Sequence, residues 1–128
     1  MDNKLKIKMY SITLDCKDPI ELAKFYESLL NWTIGSIEEE WVLVHNPETR
    51  YGLYPVILLQ KNAEYVQPVW PQKPEFQQQM VHIDFVVNDL EKAVQHAVNC
   101  GAVIAKEQYS DEWKVMFDPS GHPFCLCI

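Results

Sequence analysis

A histidine and an aspartate stand two residues apart in the second half of the sequence. His82 and Asp84 alternate with apolar residues in the stretch V-H-I-D-F-V-V, which runs from Val81 to Val87. In a β-strand, alternate residues share one face, so both polar side chains would lie opposite the apolar ones. Such a pair could act as a general base with an orienting carboxylate. The alternative is a structural pair that satisfies neighbouring strands or a dimer interface.

Aromatic residues form a second group with possible chemistry, because their faces suit apolar, aromatic or cationic ligands. Trp41 and Trp113 each follow acidic residues and begin an apolar segment. The rings that we expect around a pocket are those of Trp41, Tyr54, Trp70, Tyr109 and Trp113. Packing in the core is the alternative for each tryptophan, since this residue is highly buried on average.

The cysteines favour reduced thiols over disulfides or a structural zinc site. Cys16, Cys100, Cys125 and Cys127 have no CxxC spacing, and no secretory context accompanies them. Cys125 would be a nucleophile only if nearby positive charge lowered its pKa, and no Lys or Arg is close to it in sequence. We therefore expect it to be a small, buried residue.

Composition and charge limit the class of protein. The 128 residues fit a single domain spanning 1–128, and 48% hydrophobic with 23% charged residues is an ordinary globular composition. A net charge of −7 opposes binding to nucleic acid. We find no apolar stretch long enough for a signal peptide or a membrane span, so we expect a cytoplasmic protein without membrane contact.

The sequence repeats itself, and the repeat positions all of these residues. Ser11–Tyr26 resembles His82–Ala97: an alternating strand leads to an aspartate and then to an amphipathic helix. Asp18 and Asp89 are 71 residues apart, while Trp41 and Trp113 are 72 apart. The order of elements is thus kept while small loops differ, which indicates two copies of one unit.

Each copy predicts a capped helix followed by short strands. Asp18 and Asp89 are expected as N-caps, whereas Asn31 and Gly101 suit the left-handed conformation at a helix end. The helices have apolar stripes with Glu and Lys on the opposite side. We expect strands at about Trp32–Ile37, Trp41–His45, Pro55–Gln60, Ala102–Glu107, Glu112–Phe117 and Pro123–Ile128. The proline-rich stretch between the copies, about 61–79, predicts an extended linker.

This arrangement resembles the vicinal-oxygen-chelate superfamily, which includes glyoxalases, bleomycin-resistance proteins and extradiol dioxygenases. The resemblance is carried by the helix ending in Phe25-Tyr26, the LLNW stretch at Leu29–Trp32 and the terminal DPSGHPFCLCI at Asp118–Ile128. HIDF at His82–Phe85 is similar to the HLDL of an uncharacterised glyoxalase-like branch.

The resemblance implies an α+β fold of two βαβββ modules, about 7–60 and 80–128, with cupped mixed sheets around a cavity. Ser11, Thr13, Trp41, Ile57, Trp113 and Cys125 are the residues expected to line its ligand pocket. Homodimers are common in the superfamily, so a homodimer is expected.

The resemblance also implies where a divalent metal would be held, on the first and last strands of each module. These positions have Ser11, Ile57, His82 and Cys125. His82 is the only plausible inherited ligand, because Ile57 cannot bind metal and a lone His-Cys pair is too small a set for zinc. We therefore predict no metal cofactor, with a divalent ion such as zinc as the alternative.

The sequence favours a glyoxalase-like protein that binds a small organic molecule of unknown identity. It leaves open whether His82 and Asp84 also catalyse a reaction. One alternative is a metal-dependent lyase, isomerase or dioxygenase, with ligands supplied differently, for instance by His45 or a partner chain. Another is a drug-sequestering protein similar to bleomycin-resistance members. Of the other histidines, His96 is expected on the polar helix face and His122 in a turn.

Overall fold

The computed structural model describes residues 4–49 and 55–128, and their elements follow the predicted βαβββ order twice. The first module contains β1 Ser11–Cys16, α1 Pro19–Leu30, β2 Thr33–Ile37, β3 Trp41–His45 and β4 Val56–Lys61. The second contains β5 Ile83–Val86, α2 Leu90–Cys100, β6 Val103–Ile104, β7 Trp113–Phe117 and β8 Pro123–Cys127. Neither helix in these ranges has the length and hydropathy needed to cross a membrane.

Each module folds into its own four-stranded mixed sheet. The strand orders are β1-β4-β3-β2 and β5-β8-β7-β6. The first and last strands of each module pair in parallel, and the remaining neighbours pair antiparallel. The same topology in both halves confirms the predicted α+β fold of two βαβββ modules.

The helices begin and end where the sequence predicts. The side chains of Asp18 and Asp89 accept hydrogen bonds, both of 3.1 Å, from the backbone N–H of the residue three positions on. Asn31 has φ 55° in the left-handed helical conformation, and Gly101 has a positive φ of 120°, which glycine adopts at little cost; the N–H of each caps the end of its helix. The predicted caps are therefore confirmed.

β6 is much shorter than the predicted strand at Ala102–Glu107. The side chain of Gln108 replaces part of the backbone ladder, because its Nε2 donates to the carbonyl oxygens of Ala105 and Val115, both at 2.9 Å. Its Oε1 in turn accepts from the N–H of Val115 at 2.9 Å. Because these side-chain hydrogen bonds take the place of strand pairing, β6 ends early while the backbone groups keep hydrogen-bond partners.

Both helices and the helix-facing sides of both sheets contribute side chains to one hydrophobic core. Its buried residues include Cys16, Leu22, Phe25, Tyr26, Val42, Val44, Ile57, Leu59, Ala97, Met116, Phe124 and Leu126. The rings of Phe25 in α1 and Phe124 in β8 lie 5.9 Å apart and join the modules. The helix-facing side of each sheet packs into this core. We call the opposite side of each sheet the inner face of its module, since that side is the one expected to line the cup.

A buried carboxylate connects the two modules. Asp118 is 3% exposed, and its Oδ2 accepts a hydrogen bond of 2.7 Å from the hydroxyl of Tyr26 on α1. Its Oδ1 accepts from the backbone N–H groups of Ser120 and His122 at 2.9 and 3.0 Å. The Nδ1 atom of His122 donates to the same carboxylate at 2.8 Å. The buried carboxylate is therefore surrounded by hydrogen-bond donors from both halves.

The connector between β4 and β5 crosses the second module. The hydroxyl of Tyr65 donates to the carbonyl oxygen of Ser120 at 2.7 Å, and the Tyr65 ring lies 5.3 Å from that of His122. Pro68 is buried, and the Trp70–Pro71 peptide bond is cis. The expected extended linker is thus packed against the turn that contains Asp118.

Tyr26→Phe tests the bond between the modules. It keeps the buried ring but removes the donor to Asp118, so we expect the free energy of unfolding to fall by about 1 to 3 kcal/mol. Urea denaturation followed by circular dichroism measures this change. Tyr10→Phe, at a half-exposed ring, is the control. A loss no larger than in the control would show that the bond contributes nothing to stability.

The buried Cys16 and Tyr26 predict a loss of stability in alkali. Burial, followed by the charge of Asp118, raises the pKa of Cys16 from 9.0 to about 12 and raises that of Tyr26 well above 10.0. Below pH 9 both groups hold their protons in the folded and unfolded chains. Above it, the unfolded chain loses protons that the folded chain keeps, so the free energy of unfolding falls as pH rises.

Urea titrations between pH 8 and 11 measure this effect. Cys16→Ala is expected to flatten the decline that begins near pH 9, and Tyr26→Phe the decline that begins near pH 10. An unchanged slope in both variants would contradict the assignment.

Candidate functional site

The predicted His-Asp pair lies on the inner face of the second sheet. His82 directly precedes β5 and Asp84 lies within it, and the Nε2 atom of His82 is 3.1 Å from Oδ1 of Asp84. The parallel pairing of β5 with β8 places Asp84 directly opposite Cys125. The strand register therefore brings three residues with chemically active side chains onto one patch of sheet.

Cys125 is a protonated thiol beside a carboxylate. Burial raises its pKa from 9.0 to about 11, and the charge and hydrogen bond of Asp84 contribute to the same shift. The thiol donates that hydrogen bond, because an ionised carboxylate can only accept. Little thiolate exists at neutral pH, which agrees with the expectation that Cys125 is not an activated nucleophile.

An aromatic cleft of about 180 Å³ opens beside this patch. We call it the second-sheet cleft, and its lining consists of Trp70, Gln79, His82, Tyr109, Trp113, Val115, Pro123 and Cys125. The Trp70 ring lies 5.8 Å from that of Tyr109 and 6.4 Å from that of Phe117. Trp70 of the connector thus forms a small aromatic cluster with two rings of the second module, and Trp113 of β7 also lines the cleft.

A larger and more polar cleft, of about 390 Å³, borders the first sheet. Thr13 and Asp15 of β1 contribute to it, together with Asn62, Glu64 and glutamines of the connector. Gln79 lines both this first-sheet cleft and the second-sheet cleft. Of the six expected pocket residues, Thr13 lines the first-sheet cleft while Trp113 and Cys125 line the second-sheet cleft, and the two clefts meet at the connector.

Three of the expected pocket residues line neither of these two clefts. Ser11 is half-buried and its hydroxyl is 3.4 Å from that of Thr13, while Trp41 is 37% exposed on β3. Ile57 is 3% exposed and belongs to the helix-facing core. Tyr54 lies outside the described residues.

The placement of Ile57 corrects the sequence alignment of the last strands. Alignment through Pro55 and Pro123 made Ile57 the equivalent of Cys125. The observed pairing places Leu58 opposite Thr13, just as Cys125 is opposite Asp84. Leu58 is therefore the equivalent inner-facing residue, and a one-residue shift reverses the face in a strand.

The four-position metal set implied by the superfamily does not fit these residues. Leu58 stands at the position on β4, where no donor atom exists, and Ser11 offers only a hydroxyl at the start of β1. Donor atoms are instead concentrated in the second module. The nitrogen, oxygen and sulphur atoms of His82, Asp84 and Cys125 all lie within 4.8 Å of one another.

Sequence reasoning assigned His122 to a turn but missed its partners. Its Nδ1 contacts both oxygens of Asp118, at 2.8 and 3.0 Å, and the residue lines the first-sheet cleft. The available signal was the spacing of DPSGH, since a histidine four residues after the turn aspartate can return to it. His96 lies on α2 as predicted, and its Nε2 is 3.1 Å from the carbonyl oxygen of Leu29.

Comparison with known proteins identifies the family. The sequence profile of the glyoxalase-like domain matches residues 11–127. The chain belongs to the glyoxalase-like domain family. No curated protein matches it, so this assignment depends on the domain profile.

Solved structures similar to this glyoxalase-like domain include both catalysts and binding proteins. One is a glyoxalase/bleomycin resistance protein/dioxygenase family enzyme from Burkholderia phytofirmans PsJN, with a TM-score of 0.66, 13% identity and coverage of 91% of this chain and 94% of that one. Fosfomycin resistance protein FosX from Mesorhizobium loti has a TM-score of 0.63 and 11% identity, with 98% and 92% covered.

A third structural neighbour is TnmS3, an antibiotic-binding protein from Streptomyces sp. CB03234. It has a TM-score of 0.62 and 11% identity, with 98% of each chain covered. At identities this low, the likeness of all three structures shows the fold alone.

Proposed function

We propose that this glyoxalase-like domain binds a small organic molecule in the second-sheet cleft, without the four-position metal set of its superfamily. The observation that carries the proposal is the cleft itself, where Trp113, Trp70 and Tyr109 surround a space next to His82 and Cys125. Apolar walls with few polar groups are typical of ligand pockets. The first-sheet cleft has a more polar lining and contains none of these rings.

The ligand class follows from the shape and charge of the cleft. A volume of about 180 Å³ suits a molecule of one or two rings. The carboxylate of Asp84 lies beside Cys125, which lines the cleft, and the chain has a net charge of −7. Aromatic faces attract cations, and nearby negative charge adds to that attraction. An aromatic cation is therefore the ligand class that the cleft fits best.

Two uses of the bound molecule are consistent with this geometry. Sequestration needs only the cleft, and an antibiotic-binding protein is among the structural neighbours. Acid-base chemistry would use His82 as the base and Asp84, at 3.1 Å, as its orienting carboxylate. The proposal commits to binding and assigns the general-base role to His82 if the ligand reacts. It places the protein in the cytoplasm, where its four free cysteines stay reduced.

Trp113→Ala tests the binding site against a matched control. Trp41 holds the corresponding place on the first sheet but lines neither described cleft, so Trp41→Ala is the control. We expect 1-methylquinolinium, an aromatic cation, to bind the unmodified protein about ten-fold more tightly than Trp113→Ala, because stacking and cation–π contacts contribute about 1 to 2 kcal/mol.

Isothermal titration calorimetry measures this difference, with 2-naphthoate as the anionic comparison. Binding that is equal in the two variants, or weaker for the cation than for the anion, would contradict the proposed site and ligand class. Circular dichroism checks that both variants are folded.

We further propose that the protein is a homodimer in which a second copy covers the free edges of β1 and β5. Apolar side chains near these edges are strongly exposed: Leu5, Ile7, Met9, Met80, Val81 and Val86 are all at least 61% accessible. Exposed apolar patches of this kind commonly mark protein interfaces. The β1 and β5 edges have no strand partner within the described part of this chain.

Ile7→Lys tests the homodimer. Sedimentation equilibrium should give the unmodified protein twice its 15.0 kDa chain mass, and the variant should shift towards the chain mass. Ile37→Lys places the same charge on β2, at the opposite edge of the first sheet, and should remain dimeric. An unmodified protein of single-chain mass, or equal dissociation of both variants, would overturn the proposed interface.

A further inference from the structure

We propose that His82, Asp84 and Cys125 form a three-ligand site for zinc within the second module. Their donor atoms lie within 4.8 Å of one another, and the His82 Nε2 to Asp84 Oδ1 distance is 3.1 Å. The set differs from the superfamily positions, which draw on both modules, because Asp84 is not one of them. The sequence prediction of no metal weighed His82 with Cys125 and found the pair too small, but it did not count this aspartate.

The geometry of the cluster needs little adjustment to hold the ion. Tetrahedral zinc has ligands at about 2.0 to 2.3 Å, which places donor atoms about 3.3 to 3.8 Å from each other. The largest separation here is below 4.8 Å. The His82 and Asp84 side chains are 40% and 58% exposed, so rotation about their side-chain bonds can close the gap. Cys125 lies on β8, whose backbone is paired with β5, so its position is the more fixed one around which the other two ligands can adjust.

The donor types select the metal. An imidazole, a carboxylate and a thiolate are the ligands that zinc accepts, whereas magnesium and calcium require oxygen ligands. Two anionic ligands would neutralise the charge of a divalent ion once the thiol has lost its proton. Three protein ligands leave a fourth position for water or substrate, as in catalytic zinc sites. That position would lie by the second-sheet cleft, since His82 and Cys125 line it.

The first module provides an internal comparison. The equivalent inner-facing residues are Ser11, Thr13 and Leu58, which offer two hydroxyls and a hydrocarbon side chain. The same fold and register therefore do not require strong donors at these places. The three donors of the second module are a property of that module's sequence.

Cobalt titration of the full-length, reduced protein, stripped with chelator, tests the site. We expect one equivalent of Co²⁺ to give a thiolate-to-cobalt charge-transfer band and the visible bands of a tetrahedral site, both abolished by excess Zn²⁺. Cys125→Ser should lose the charge-transfer band. His82→Ala and Asp84→Asn should weaken Co²⁺ binding by at least about ten-fold. Cys127→Ser, on the same strand, should behave like the unmodified protein.

Several outcomes would overturn the proposal. These are the absence of a charge-transfer band, a band that survives Cys125→Ser, and a band that depends on Cys127. Circular dichroism of each variant without metal excludes loss of fold as the cause. The zinc site does not rest on the proposed ligand, because the titration contains none. If calorimetry with 1-methylquinolinium on stripped protein fails while the cobalt bands appear, only the ligand proposal falls. Metal-bound His82 cannot serve as a base through Nε2, so the two roles exclude each other.

Discussion

The buried carboxylate of Asp118 constrains the rest of this structure. A charge removed from water is strongly destabilising unless donors surround it, and the donors here come from both modules. The hydroxyl of Tyr26 requires α1 to lie against the second module, and the N–H groups of Ser120 and His122 require a tight turn. β8 begins directly after that turn, at Pro123. The position of Cys125 beside Asp84 therefore depends on how the turn is closed.

The sequence predicted the fold well because each local signal occurs twice. Caps, apolar stripes and strand alternation at Asp18 and Asp89 support each other, so agreement between the halves compensates for weak signals in either one. The same alternation placed His82 and Asp84 on one face. The alignment failed at Ile57, where two prolines were matched although the observed strand pairing places the equivalent positions one residue away from that match. In a strand, a shift of one residue moves a side chain from the core to the inner face.

Other features were hidden because they depend on side chains that replace backbone contacts. Gln108 ends β6 by satisfying Ala105 and Val115, and no propensity scale describes such a contact. His122 reaches back to Asp118 within a turn that alternation cannot predict. To predict that Asp84 lies beside Cys125, one needs the register between β5 and β8. These two strands are separated in the chain by α2 and two further strands. Spatial neighbours across such a distance follow from pairing geometry alone.

The two halves of the chain have the same architecture but unequal contents. In the repeat, Tyr26 corresponds to Ala97 and Asp118 to Asn46, so the polar bond between the modules has no mirror image. Asn46 keeps the turn, as its Oδ1 accepts from Glu48 N–H at 3.0 Å, but brings no charge. A dimer of identical single modules would have to carry every substitution twice. Fusing two copies into one polypeptide removes that obligation, and one copy can keep an apolar scaffold while the other acquires reactive side chains.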